Sequence, residues 1–335
     1  MPRIRHLPED FEVEEIPLFD LSGEGQHTYL WIEKRERTTD EVWRELAQGL
    51  DLSPRDIGYA GRKDRRAVTR QWFSVPVTDD ARLDRLELEN ARVLDVQRSN
   101  ERLRVGQLEG NRFKLKVREV ERAAGENARQ RLNTLFNRGM PNRYGHQRFG
   151  RDGRNAERGV ELLRGGRLRG DRRHAWLMVS ALQSLVFNRV LERRPVGIDE
   201  LLPGDLAVDH GTGELTLVEE PSKATDGLRN FEVSPTGPIF GSKMRSPGGA
   251  VRVLEESVMS EVGVPPMDHR TLPPGLRLYG ERRPLRVRPL ETSARWRDNV
   301  LDLSFILPSG SYATVLLEEL FPDGYEEGPP PEPKH

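Results

Sequence analysis

The chain has 335 residues and no cysteine. Disulfides, a thiolate zinc site and a thiol nucleophile are therefore excluded. No apolar run approaches the roughly 20 residues that a membrane-spanning helix needs. With 35% hydrophobic residues and a mean hydropathy of -0.69, a membrane protein is not expected. Met1 to His6 run into Glu9-Asp10 and not into an apolar stretch, so no secretory signal is expected, and a cytoplasmic location is the default. The seven histidines are scattered without ligand spacing, which argues against a metal site. No internal repeat is present. A chain of this length is expected to form one large or two medium domains, each able to bury a core.

The net charge of -1 conceals an asymmetry. Between Glu101 and Ala175 there are 20 Lys and Arg against 9 Asp and Glu, whereas Glu318 to His335 holds 6 acids and one base. A basic middle with an acidic end is compatible with one face meeting nucleic acid, and equally with an Arg-rich solvated surface.

One stretch concentrates the chemistry. Ile57-Gly58-Tyr59-Ala60-Gly61-Arg62-Lys63-Asp64-Arg65-Arg66-Ala67-Val68-Thr69 sets one carboxylate, Asp64, between pairs of cations after a glycine-punctuated turn. The alternating run Gln71 to Val77 then leads away as a strand. Nearby positive charge favours the anionic form of a carboxylate, and the same cations suit a polyanion. Asp64 is thus a candidate nucleophile or base in a phosphate-attracting loop. The plainer reading is a solvated turn in which the aspartate balances its neighbours.

The order Gly-Tyr-Ala-Gly-x-Lys-Asp-x-x-Ala-Val-Thr-x-Gln-x-x-Ser resembles the signature of the TruD family of pseudouridine synthases. In that family the aspartate after Gly-x-Lys is catalytic, which points to Asp64. Further elements are similar. Pro8-Glu9-Asp10-Phe11-Glu12-Val13-Glu14-Glu15 matches the N-terminal element, and implies that Phe11 contacts substrate. Arg5 stands where the family commonly has lysine near the aspartate; the charge is kept, but reach and geometry differ. Gly110-Asn111-Arg112-Phe113 matches the second element, implying that Asn111 contacts the nucleotide and Phe113 stacks at the target base. Pro141-Asn142-Arg143-Tyr144-Gly145-His146-Gln147-Arg148-Phe149-Gly150 is similar to the third. Gly310-Ser311-Tyr312-Ala313-Thr314 matches the closing element and makes Tyr312 a substrate-proximal aromatic. The resemblance runs from residue 5 to residue 320 and is thinnest between about 195 and 290.

Local patterns supply the scaffold. His27 to Glu33 reads as a strand. Thr38 and Glu41 are spaced as a capping box ahead of a helix with Val42, Leu46 and Leu50 on one face. Ala91 to Gln97 and Leu103 to Leu108 read as strands joined around Ser99-Asn100. In the next strand Phe113, Leu115 and Val117 share a face, and the Lys and Arg opposite them are candidates to line an RNA groove. A helix from about Glu121 to Arg138 stops at Gly139. His174 to Arg194, apolar nearly all round, is expected as a buried helix, and a further helix is expected from about Ala250 to Glu261. Pro265-Pro266 and Pro273-Pro274-Gly275 mark a linker. Leu301, Leu303, Phe305 and Leu307 alternate in a returning strand.

The expected fold class is α+β: a pseudouridine-synthase-like catalytic domain with a mixed sheet and helices, formed by residues 1–140 and 290–322, with an inserted α/β (TRUD) domain at 141–289. Residues 323–335, acidic and Pro-rich, are expected to be disordered. The resemblance implies isomerisation of uridine 13 of tRNA to pseudouridine by Asp64, acting as nucleophile or base, with tRNA as partner, no cofactor and no protein partner inferred. It also implies that Phe11, Asn111, Phe113 and Tyr312 surround Asp64 in one cleft. Two alternatives use the same residues: a non-catalytic RNA-binding protein on this fold, and a glycosidase acting on RNA or nucleosides. The second ordinarily wants paired carboxylates, and only one stands in a recognised site.

Overall fold

The structure is a computed structural model that describes residues 1–166, 172–265 and 277–328. The chain divides into two compact units, residues 1–133 with 289–310 and 317–335, and residues 134–288 with 311–316. Much of the expected 265–275 linker, and the end of the chain from 329, lie outside the described residues. The α+β expectation holds for both units.

The first unit is built on a ten-stranded sheet. Its elements in chain order are β1 (Arg3–Ile4), β2 (Phe11–Pro17), β3 (His27–Arg35), α1 (Thr39–Gly49), β4 (Gly58–Tyr59), β5 (Val68–Pro76), α2 (Asp80–Leu83), β6 (Ala91–Ser99) and β7 (Leu108–Arg118). After the excursion into the second unit come β14 (Leu290–Arg297), β15 (Val300–Pro308) and β16 (Glu326–Glu327). The main strand order is β14-β15-β7-β2-β5-β3-β6, with β4 added to β5 and β1 lying between β7 and β16. β2 and β5 are parallel; the other pairings along the main path are antiparallel.

Period-two patterning decides which face of each strand is enclosed. Phe113, Leu115 and Val117 of β7 and Leu301, Leu303, Phe305 and Leu307 of β15 are all buried. The helix α1 begins as its capping box dictates. Thr38 Oγ1 accepts from the Glu41 amide at 3.2 Å, and Glu41 Oε2 accepts from the Thr38 amide at 2.6 Å. Val42, Leu46 and Leu50 then pack with Leu30, Ile32, Phe73 and Val75 of β3 and β5. This core holds α1 next to the segment that carries Asp64.

Three expectations are corrected here. Leu103 to Gln107 is a loop, not a strand: the Leu103 amide donates to Ser74 Oγ at 2.9 Å instead of joining a ladder, and β6 pairs with β3. The exposed face of β7 is not a basic groove. Glu12 stands across from Lys114 and Asp302 across from Lys116, Arg112 pairs with Glu291 at 2.5 Å, and Arg118 grips Asp10 at 2.8 Å. The acidic tail is ordered through 328. Glu326–Glu327 pairs in parallel with Arg3–Ile4, and its carboxylates meet Arg3 at 3.3 Å and Arg66 at 3.4 Å. Charge-assisted pairing of Glu326 and Glu327 with cations at the sheet edge supports this strand.

In the second unit α3 (Arg122–Arg138), which starts in the first, leads to β8 (Met140–Pro141), α4 (Asn155–Leu163), α5 (Arg172–Arg193), β9 (Leu206–Asp209), β10 (Leu215–Leu217), α6 (Thr225–Arg229), β11 (Val233–Ile239), α7 (Gly249–Val262), β12 (Glu281–Pro284) and β13 (Arg286–Val287). A four-stranded sheet runs β10-β9-β11-β12, and β13 pairs with β8. α5 supplies the core through Val179, Leu182, Val186 and Val190, packed with Leu162, Phe240 and Val258. Its expected all-round burial fails at one end, where Trp176 and Leu177 are 54% and 42% exposed. The final helix α8 (Ala313–Leu320) begins in this unit and ends in the first.

Candidate active site

Asp64 lies on the connection from β4 to β5, and buried polar bonds fix that connection to three other elements. The Lys63 amide donates to Thr39 Oγ1 of α1 at 2.9 Å. Thr39 Oγ1 donates to Gln71 Oε1 of β5 at 2.8 Å, and Gln71 Nε2 returns to the Gly61 carbonyl at 2.9 Å. Lys63 Nζ meets Glu15 of β2 at 2.5 Å, with side chains only 4% and 1% exposed. Burial pushes the Glu15 carboxyl above its ordinary range, and the Lys63 charge opposes that rise. From β3, Lys34 Nζ donates to the carbonyls of Arg37, at 2.5 Å, and of Asp64 itself, at 3.1 Å. Lys34 is 1% exposed, and burial pushes its ammonium down to about 7.

The Asp64 carboxylate is left 37% exposed, with Arg5 Nη2 2.6 Å from its Oδ2. Arg5 is itself buried and lies 4.0 Å above the Phe11 ring. Its φ of +52° is in the left-handed region that a non-glycine residue rarely adopts. That conformation is held by flanking pairs: β1 is clasped by β7 and β16, and Arg66 Nη2 donates to the Arg5 carbonyl at 3.4 Å. Arginine at this position thus acts as a rigid, aromatic-backed clamp on one carboxylate oxygen.

The strand register assembles the remaining residues into rows on the same face. Lys34 pairs with Thr69, Thr69 with Val13, Val13 with Phe113, and Phe113 with Phe305. In the next row Glu15 stands opposite Asn111, and Asn111 opposite Leu307. Phe11 meets Phe113 edge to face at 6.2 Å, and Phe113 stacks on Phe305 at 5.2 Å. The ring expected to stack on the target base is therefore 7% exposed and already stacked on one side. Asn111 Oδ1 and Thr69 Oγ1 are shielded from solvent and have no hydrogen-bond partner among the described residues. Leaving buried polar atoms of this kind without a partner is costly. Gly110 permits this packing, since a Cβ there would stand 2.4 Å from the Leu307 carbonyl oxygen.

Tyr312 belongs to the second unit. There its ring lies 6.1 Å from Tyr144, and burial raises its hydroxyl while the Arg148 charge lowers it. Arg283 and Arg148 approach the Tyr144 ring at 4.3 and 5.5 Å. Arg148 Nε bonds Ser184 Oγ at 3.2 Å, and Asn188 holds the Tyr144 backbone through bonds of 2.8 and 2.9 Å. Of the five residues expected around Asp64, Arg5, Phe11, Asn111 and Phe113 belong to the first unit, where Arg5 contacts the carboxylate, and Tyr312 belongs to the second.

Lys34, Glu15, Thr39 and Gln71 were not singled out by the sequence reasoning. A signal was available for two of them. Thr28, Leu30, Ile32 and Lys34 share the period-two face of β3, and Phe11, Val13 and Glu15 that of β2, so each run ends with a charge pointing inward.

Residues 2–167 and 171–320 match the family described as tRNA pseudouridine synthase D (TruD). The chain is 42% identical to a tRNA pseudouridine synthase D of Thermus thermophilus, over 98% of this chain and 92% of that one. It is 38% identical to the protein of the same name from Geobacter metallireducens, over 96% and 95%. A crystal structure titled as a putative tRNA pseudouridine synthase D from Methanosarcina mazei superimposes with a TM-score of 0.71, covering 95% of this chain and 93% of that one. At 22% identity that likeness concerns the fold. The chain belongs to the TruD family of tRNA pseudouridine synthases.

Proposed function

We propose that this chain isomerises uridine 13 of tRNA to pseudouridine, with Asp64 as the carboxylate that acts at the ribose. The reaction breaks the N1–C1′ bond and forms a C5–C1′ bond; C5 loses its proton, and N1 gains one. Atoms and electrons balance without oxidant, reductant or nucleotide energy. The target must leave its stack to reach Asp64, at a cost of a few kcal/mol. Phe11, Phe113 and Tyr312 are assigned to the target pocket, Asn111 to the nucleotide, and Arg5 to holding Asp64. The observation that carries this reading is the Asp64 carboxylate, partly open to solvent and clamped at 2.6 Å by a buried arginine, in the loop that bears the family signature.

Asp64→Asn keeps the size and removes the charge that a nucleophile or base needs. With tRNA labelled by tritium at uridine C5, tritium release and nucleoside analysis should both fall by at least about 1,000-fold, and tRNA affinity should change by less than about threefold. Pseudouridine formation at a tenth of the normal rate by the purified variant would refute the assignment. Release of free uracil by the unaltered protein would make it a glycosidase.

A further inference from the structure

We propose that Lys34 is a positioning residue for Asp64: its buried ammonium ties the Asp64 carbonyl to the Arg37 carbonyl and so holds the carboxylate in reactive geometry. The inference rests on the reading of Asp64 as the carboxylate acting at the ribose.

Lys34 sits at the end of an inward-facing run, Thr28, Leu30 and Ile32, where an apolar side chain would continue the core. Stability alone does not call for an ammonium at this place, because burying a charge is costly. Its hydrogen bonds go to carbonyls, one of them that of Asp64. Other contacts hold the loop at Gly61 and Lys63 and through the side chains of Arg62, Arg65 and Arg66, and Arg5 meets the Asp64 carboxylate, whereas Lys34 grips Asp64 by its own backbone carbonyl. Of the charges facing it, Asp64 and Glu41 favour the ammonium, while Lys63 and Arg37 oppose it. Burial outweighs them all and brings the titration to about 7. A docked polyanion adds negative charge nearby and moves that titration upward. In the free protein, deprotonation weakens a charge-assisted bond to the Asp64 backbone and loosens the loop.

Two signatures follow. The alkaline fall of kcat/KM, which reports the free enzyme, begins near pH 7, and that of kcat, which reports the tRNA complex, lies at higher pH. In Lys34→Met this alkaline limb disappears, and single-turnover rate at pH 7 drops about 10- to 100-fold, as expected for a small misplacement of a reacting group. Affinity for the tRNA transcript stays within about twofold of the unaltered protein. Lys34→Met with an unchanged rate and an unchanged limb overturns the proposal. So does a loss of rate matched by an equal loss of tRNA affinity or of folded protein, which would make the role structural. Should Lys34→Met not fold, the unaltered protein decides: the 13Cε resonance of Lys34 must titrate with the midpoint of kcat/KM, and a flat profile across that titration overturns the proposal. Asp64→Asn, assayed in parallel, separates the two readings. Turnover by Asp64→Asn removes the parent reading, whereas an inactive Asp64→Asn beside a fully active Lys34→Met removes only this one.

Discussion

Replacing Lys63 with methionine tests whether the loop bearing Asp64 is anchored by charge. The substitution keeps length and apolar stem but removes the cation 2.5 Å from Glu15, in a pair whose side chains are 4% and 1% exposed. Glu15 then retains one hydrogen bond, from the Trp72 amide at 3.3 Å. Breaking a buried pair by removing one partner costs about 3–5 kcal/mol, because the other charge is left uncompensated. At about 2–4 °C per kcal/mol for a unit of this size, Tm should fall by about 6–20 °C. The pH dependence has a definite sign. The Glu15 carboxyl is already raised by burial against the opposing pull of Lys63, so losing Lys63 raises it further. Between the unfolded and folded values the folded variant keeps a proton that the unfolded chain releases, so its stability declines as pH rises through that window. The loss should therefore be smaller at pH 5 than at pH 8, when measured by thermal and urea unfolding. Glu15→Gln combined with Lys63→Met keeps the acceptor for Trp72 and removes the stranded charge, and should recover part of the stability. A loss below about 1 kcal/mol, a loss independent of pH, or strict additivity in the double variant would refute the reasoning.

Two further outcomes are expected. Affinity for tRNA should weaken with salt, and Arg148→Gln combined with Arg151→Gln should lower the slope of log K against log salt by roughly 1–2; an unchanged slope in filter-binding titrations would exclude these arginines from the RNA face. Gly110→Ala places a methyl group 2.4 Å from the Leu307 carbonyl oxygen and 3.2 Å from Pro308 Cα, both backbone. It should destabilise by about 1–3 kcal/mol through forced strand separation beside Asn111, read as a lower urea midpoint; a midpoint equal to that of the unaltered protein would contradict the tight β7–β15 approach.

By itself the sequence determined the local elements whose signals are short-ranged. The capping box of Thr38 and Glu41 opened α1, Gly139 closed α3, and the alternation of Leu301, Leu303, Phe305 and Leu307 marked β15 and its inward face. It also brought Asp64 forward, because the glycines and cations around it are contiguous in the chain. What it left open was the partner of each charge. Arg5 meets Asp64 across 59 positions, Lys63 meets Glu15 across 48, and Arg66 meets Glu327 across 261. Periodicity tells which side of a strand faces inward; it does not tell which strand lies alongside. Only the tertiary structure gave the cations of β7 their acidic neighbours, attached the tail to β1, and turned Leu103 to Gln107 into a loop that caps Ser74. The same reason governs Lys34: its inward direction and its bond to the Arg37 carbonyl are local, but the Asp64 carbonyl lies 30 positions away, and only the packing of α1 and β5 on β3 brings it within reach.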